Sequence, residues 1–340
     1  MSIFIIYSVL CFVLVFTCAK ISYKFNLLDK PNQRKIHKES VAYTGGIAIS
    51  VTLVFSIFLF NIYENNLNNI LSFAFLISLI GLVDDKFNLN VGGKLSLQIL
   101  PIFYLVVFEN LNLIHLGDYE YFIIQLETFK LPFTLLSVLF LINSFNYFDG
   151  MDGTLSFSSI TVLLILFFLY PDSSFQLFLI IILIPISIFL IFNFSFFKLP
   201  KLFLGDSGSL LIGFIISFIL IYLANQNFVH PILLAWSIVI YVYEFLSINF
   251  IRLEKQKNPF KAGQDHLHHV LFRKTKSVLI SNFLICLTNI TFFTIGYFSF
   301  LVSSILSLIL FIFLFAIFLI IRIIYSKENN EIKFNNKNFN

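Results

Sequence analysis

Five short polar clusters interrupt an otherwise apolar chain: Arg34–His37, Asp84-Asp85, Asn143–Asp152, Gly205–Ser209 and His266–His269. Asp84 and Asp85 close an apolar run, where a helix C-terminus already carries partial negative charge. Two adjacent carboxylates there call for a compensating cation, and a divalent metal is the natural one, with Lys86 and Lys94 as nearby charges. A plain helix end in solvent is the alternative. Asn143, Asn146, Asp149 and Asp152 recur every third position. On a helix each such step turns by about 60°, so the first three can line one wall of a cleft. Gly150 and Gly153 then loosen the chain enough to bring Asp152 to the same space. A solvated turn would not explain two Asn within an apolar span. In Phe203-Leu-Gly-Asp-Ser-Gly-Ser, Asp206 reads either as an N-cap or as a metal ligand beside backbone N–H groups that face a phosphate. His266, His268 and His269 lie among Arg252, Lys255, Lys257, Lys261, Arg273 and Lys274. With no Cys or Glu at ligand spacing, phosphate binding suits them better than zinc. Carboxylates for a metal, with cations and imidazoles for phosphate, indicate phosphoryl chemistry assisted by Mg²⁺ or Mn²⁺.

The elements that must position these groups are membrane helices. Charged residues are 12% of the 340, hydrophobic residues 59%, and mean hydropathy is +0.93. A soluble domain would carry roughly a quarter charged residues. Spans of about 20 apolar residues are needed to cross a bilayer. Eleven candidate cores can be read, at 3–19, 45–62, 70–83, 95–108, 132–148, 154–170, 175–194, 208–224, 231–250, 278–297 and 300–324. The third and fourth are short, and Pro101 and Pro185 interrupt two of the cores. The expected fold is thus an all-α polytopic membrane protein of about eleven transmembrane helices, N-terminus outside and C-terminus cytoplasmic. Residues 1–326 form one catalytic domain, and 327–340 an Asn-rich disordered tail. This orientation puts every Lys and Arg except Lys130 on the cytoplasmic side, together with all five polar clusters. One span more or fewer would scatter the basic loops. The first span lacks an A-x-A-like cleavage site and is followed by Lys20 and Lys24, as in a retained helix. Cys11, Cys18 and Cys286 all fall in spans and read as packing residues. The net charge of +4 favours anionic headgroups and anionic substrates, and nothing separately supports nucleic acid binding.

Arg34-Lys-Ile-His with Gly45-Gly46, Asp84-Asp85, Asn143-x-x-Asn-x-x-Asp-Gly-x-Asp-Gly, Gly205-Asp-x-Gly-Ser and His266-x-His-His occur in that order. With them the chain resembles the polyprenyl-phosphate N-acetylhexosamine-1-phosphate transferases of glycosyltransferase family 4. The His-Leu-His-His ending looks like the branch that transfers N-acetylglucosamine-1-phosphate to start O-antigen, enterobacterial common antigen or teichoic acid. The resemblance implies transfer of the sugar phosphate from a UDP-N-acetylhexosamine to undecaprenyl phosphate, releasing UMP. It implies catalytic roles for Asp84, Asp85 and Asp206, with the metal, Mg²⁺ or Mn²⁺, on Asp85 and Asp206. Substrate would be bound by Asn143, Asn146, Asp149, Asp152, Lys94, Arg252, His266, His268 and His269. The other partners are membrane lipids, with a homodimer left open, and the setting is the bacterial inner membrane with a cytoplasmic active site. Glu244 stands where many members have Asp, and Gln264 where a basic residue is common. These two departures bear on the sugar more than on the reaction. Competing readings are the muramoyl-pentapeptide branch of peptidoglycan synthesis and, from a different class, a transporter of an anionic or polyprenyl-linked solute. A transporter would place ionisable groups near the bilayer midplane, whereas these gather at helix ends.

Overall fold

A computed structural model describes residues 2–31, 39–60, 62, 64–258, 263 and 265–337. The Arg34–His37 cluster and Gln264 therefore lie outside the described residues. The chain is mostly helical. After α1 (Ser2–Lys24), strands β1 (Leu28–Asp29) and β2 (Val41–Ala42) pair antiparallel. There follow α2 (Gly45–Leu59), α3 (Asn65–Phe87) and α4 (Val91–Val107), then a second antiparallel pair, β3 (His115–Asp118) and β4 (Ile123–Gln125). Next come α5 (Lys130–Phe148), α6 (Thr154–Leu169), α7 (Ser173–Asn193) and α8 (Gly205–Asn225). The series ends with α9 (Pro231–Ser237), α10 (Val239–Glu254), α11 (Leu267–Thr275), α12 (Val278–Val302) and α13 (Ser304–Lys337).

Helix occupies all eleven apolar segments, but the segments are unequal. Among the described residues seven helices are long and apolar enough to cross a membrane, and eight if α9 and α10, bent by 72°, make one broken span. The helices α2, α4 and α6 are apolar but shorter, at 15, 17 and 16 residues. The molecule is thus a multi-pass membrane protein of at least seven such helices. Two details differ from the sequence reading. Helix α3 is a full 23 residues, because its first turn is built from Asn65, Asn66, Asn68 and Asn69, which hydropathy discounts. Pro101 and Pro185 lie inside continuous helices, as membrane helices tolerate when neighbours re-satisfy the freed carbonyls.

Helix α8 is the axis of the fold. Its apolar residues are almost all buried, and α2, α3 and α5 pack around it. Small residues set how close they come. A methyl group on Gly46 of α2 would lie 2.0 Å from the backbone nitrogen of Gly208, and one on Gly81 of α3 would lie 2.4 Å from that of Ser207. The N–H groups of Gly45 and Gly46 donate to the carbonyls of Phe203 and Leu204 at 3.0 and 2.9 Å, tying the start of α2 to the start of α8. At the periphery α1, α12 and α13 expose residues such as Ile6, Phe298 and Phe313, as suits helices bathed in lipid.

Candidate active site

Four helices deliver one polar cluster at one end of this axis. Asp84 lies in the last turn of α3, which ends at the left-handed Asn88 (φ 51°). Lys94 is in the first turn of α4, Asn146 in the last turn of α5 and Asp206 in the first turn of α8. The Lys94 ammonium bridges two carboxylates, at 2.7 Å from Asp84 Oδ2 and 2.5 Å from Asp206 Oδ2. Asn146 Nδ2 donates to Asp206 Oδ1 at 3.0 Å and to Ser209 Oγ at 2.8 Å. The backbone N–H of Leu89 donates to Asp84 Oδ1 at 2.9 Å. Asp206 is therefore not the N-cap of α8. Leu204 holds that position without a side-chain bond, while the Asp206 carboxylate faces Lys94 and Asn146.

Capping of α8 falls to Asp85 instead. Its Oδ1 accepts from the N–H of Asp206 at 3.1 Å and its Oδ2 makes a longer contact, 3.4 Å, with the N–H of Ser207. A negative group at a helix N-terminus is favourable, so an α3 side chain satisfies α8 across the interface. Gly205 makes room for this. Its φ is +71°, and an added methyl group would sit 2.7 Å from Asp85 Oδ2 and 2.5 Å from the Tyr43 carbonyl.

The Asn-Asp stretch divides in two. Asn143 Nδ2 donates at 3.3 Å to Oε1 of buried Gln98, extending the wall into α4. Asp149 ends α5, and burial together with the nearby charges of Asp206 and Asp152 pushes its carboxyl up to about 8. Asp152 pairs with Lys201 at 2.6 Å and its carbonyl accepts from Asn282 at 2.8 Å, so it is held beside the cluster and not within it.

The histidines meet this stretch directly. His268 packs under Gly150, where a methyl group would lie 2.1 Å from its Nε2. His266 stands edge-on to Tyr147 at 5.2 Å and is parallel to His268 at 5.5 Å. Arg252 lies 5.7 Å from the Tyr147 ring and forms a bidentate pair with Asp265, at 2.8 and 3.1 Å. Burial lowers the basicity of all three imidazoles: His266 falls to about 3, and His268 and His269 are also depressed, with neighbouring positive groups adding to the effect. Asp265 goes down to about 2, because Arg252 outweighs the opposing effect of burial. These histidines are consequently neutral hydrogen-bonding groups beside fixed cations.

The donor set also bears on a metal. Among the described residues no three His, Cys, Asp or Glu side chains meet as a ready cage. Mg²⁺ does not need one, since it is usually held by one or two carboxylates and completed by water and substrate phosphate. The all-oxygen set of Asp84, Asp85 and Asp206 fits that pattern, with Lys94 as the charge an arriving cation would share its carboxylates with.

Sequence reasoning missed three participants: Gln98, Lys201 and Arg322. Arg322 Nη2 donates to Glu244 Oε1 at 2.9 Å and to the Asp265 carbonyl at 2.6 Å. A signal for it existed, because an Arg inside the last apolar segment is costly in lipid without an inward-facing partner.

With this geometry in hand, similarity to known proteins adds a family. The profile described as Glycosyl transferase family 4 matches residues 67–224, the stretch that supplies Asp84, Lys94, Asn146 and Asp206. An undecaprenyl-phosphate alpha-N-acetylglucosaminyl 1-phosphate transferase from Escherichia coli O157:H7 is 31% identical over 273 residues, covering 76% of this chain and 72% of the relative. The protein of the same name from Yersinia pestis is 30% identical over 266 residues, 76% of this chain and 73% of its own. A probable undecaprenyl-phosphate N-acetylglucosaminyl 1-phosphate transferase from Bacillus subtilis strain 168 is 30% identical over 261 residues, 74% and 71% of the two chains.

Proposed function

This chain belongs to glycosyl transferase family 4, and on that premise we propose that it transfers N-acetylglucosamine-1-phosphate from UDP-N-acetylglucosamine to undecaprenyl phosphate, releasing UMP. The observation that carries the reading is the convergence of Asp84, Lys94, Asn146 and Asp206 from four helices on one point, with the neutral histidines alongside. The relatives' names favour it over the muramoyl-pentapeptide branch and over a transporter. The setting would be the bacterial inner membrane, with the site open to the cytoplasm and the product starting a cell-envelope polysaccharide.

In this proposal an oxygen of the lipid phosphate attacks the β-phosphorus of the UDP-sugar. The bond from that phosphorus to the bridging oxygen breaks, and UMP leaves with the bridging oxygen. Phosphoryl transfer needs mainly positioning and charge neutralisation. Lys94 supplies a fixed positive charge among the carboxylates, and Asn146 orients Asp206. In this reading Asp84 serves the lipid phosphate, and a phosphate already anionic near neutral pH needs little further activation. Asp206, with Asp84 or Asp85, would hold Mg²⁺ or Mn²⁺, which when bound neutralises diphosphate charge. The imidazole N–H groups and Arg252, which lie together against Tyr147, would steady the sugar diphosphate.

Purified protein incubated with Mg²⁺, undecaprenyl phosphate and a panel of UDP-sugars tests this. UMP release and a lipid-linked sugar phosphate are expected with UDP-N-acetylglucosamine, and EDTA should stop both. Turnover only with the UDP-muramoyl-pentapeptide would move the protein to the other branch.

A further inference from the structure

The family profile's match ends at residue 224, and a closed polar ring lies beyond it. Glu244 of α10 and Arg322 of α13 are both buried, at 1% and 4% exposure, each with mainly apolar neighbours along its helix. One carboxylate oxygen, Glu244 Oε1, accepts from the backbone N–H of Leu267 at 2.8 Å and from Arg322 Nη2 at 2.9 Å. The same Arg322 nitrogen donates to the carbonyl of Asp265 at 2.6 Å. Asp265 and Leu267 flank His266, so the peptide groups on both sides of that residue are each tied to one member of the pair. The His266 ring is thereby presented to Tyr147, and Tyr147 adjoins Asn146, which holds Asp206.

We infer that Arg322 and Glu244 are positioning residues that lock the backbone around His266 and so make the last helix part of the sugar-diphosphate side of the site. Several features set this pair apart from an ordinary buried ion pair. A charge pair buried only for stability is often replaceable by apolar groups. Here each member also satisfies a backbone group of a loop that carries functional side chains. Among the described residues three further polar atoms, Glu244 Oε2, Arg322 Nε and His266 Nδ1, are buried without a hydrogen-bond partner. Packing alone would not retain such atoms, because unsatisfied buried polar groups are costly. Both bonds leave Nη2, whose two N–H groups are held in fixed directions by the planar guanidinium, whereas a Lys ammonium sits on a shorter stem and rotates freely.

The inference rests on the proposed reaction for its kinetic readout, so the test includes a measurement that does not. In purified full-length protein, Arg322→Met should increase amide hydrogen exchange across 265–270 while leaving α8 protected. It should raise the KM for UDP-N-acetylglucosamine roughly ten- to hundredfold, the scale of a displaced substrate-positioning group, and leave the KM for undecaprenyl phosphate near the wild-type value. Arg322→Lys should fall between the two. Adding Glu244→Gln to Arg322→Met should cost little more than the single change, because both break one ring. If Arg322→Met does not fold, Glu244→Asp, which keeps the charge and withdraws the oxygen, should give the same exchange pattern. Unchanged exchange at 265–270 would overturn the inference, as would a loss in which both KM values and the melting temperature move together. Absence of UDP-N-acetylglucosamine turnover by the wild-type protein would count against the proposed reaction only, with the exchange result still deciding the lock.

Discussion

Asp206 shows how a single residue changes meaning when its neighbours are in place. Within Gly-Asp-Ser-Gly its two readings, cap or ligand, are equal in sequence. In the fold Asp85 takes the capping role and frees Asp206 to face Lys94 and Asn146. Asp206→Asn should therefore leave α8 and the melting temperature nearly intact while lowering kcat by about 10²- to 10³-fold, the usual loss for one preorganised electrostatic group. Near-normal turnover in that variant would remove Asp206 from the chemistry. The histidines carry a pH prediction. Burial takes His266 from an ordinary value near 6.5 to about 3. As pH falls from 6.5 toward 3 the unfolded chain takes up a proton that the folded one refuses, so folded-state stability is lost across that window. His266→Gln should weaken this acid-side slope in melting curves recorded from pH 7 to pH 4, whereas a slope unchanged in the variant would mean the imidazole titrates normally. At this scale the residue types were legible in the sequence because the carboxylates, Asn and His are costly in an apolar chain. Their pairings were not, since Lys94 with Asp206 and Arg322 with Glu244 join positions far apart in sequence.

Elements place these side chains by how closely they pack. The starts of α2 and α8 and the end of α3 meet at Gly46, Gly81, Gly205 and Gly208, where backbone touches backbone. A methyl group at Gly46 would meet no flexible side chain first but the backbone of Ser207 and Gly208. Gly46→Ala should cost about 1–3 kcal/mol, as overpacking does, and lower activity by shifting Asp206. Gly92→Ala is the matched control, because its nearest neighbour would be an ordinary 3.6 Å away. A Gly46→Ala protein with unaltered melting temperature would refute the close approach. Apolar runs located the long helices but misjudged several ends, and missed α11 altogether, whose nine residues lie in the basic loop. The Asn-rich start of α3 looked like loop, and the bend between α9 and α10 carries no warning beyond Pro231. The two small antiparallel pairs escaped notice because strands of two to four residues are too short to show alternation.

At the scale of the molecule the two ends of the bundle differ in chemistry, which gives the topology a direct test. One end gathers the last turns of α3 and α5, the first turns of α4 and α8, and the loop before α11, which together bring Asp84, Asn146, Lys94, Asp206 and His266. The other end is closed by the β3–β4 hairpin, where His115 Nε2 meets Asn227 Oδ1 at 2.9 Å and His230 Nε2 lies 2.9 Å from the Asp118 carbonyl. Lys130, at the start of α5, is on that second end, while Lys198 and Lys257 belong to the first. Basic residues are retained on the cytoplasmic side, and a UDP-sugar donor would be drawn from the same compartment, so both arguments turn the site end inward. Single Cys residues placed at Lys130 and Ser174 in a background without Cys11, Cys18 and Cys286 should react with a membrane-impermeant thiol reagent in intact cells. Those at the exposed positions Lys198 and Lys257 should react only after the membrane is opened. Labelling of position 257 from outside would put the carboxylates on the wrong side for a cytoplasmic nucleotide sugar. Protection of all four positions in intact cells would mean that the hairpin end does not reach the outer surface, so that fewer of the apolar helices cross than the eleven expected from charge and length.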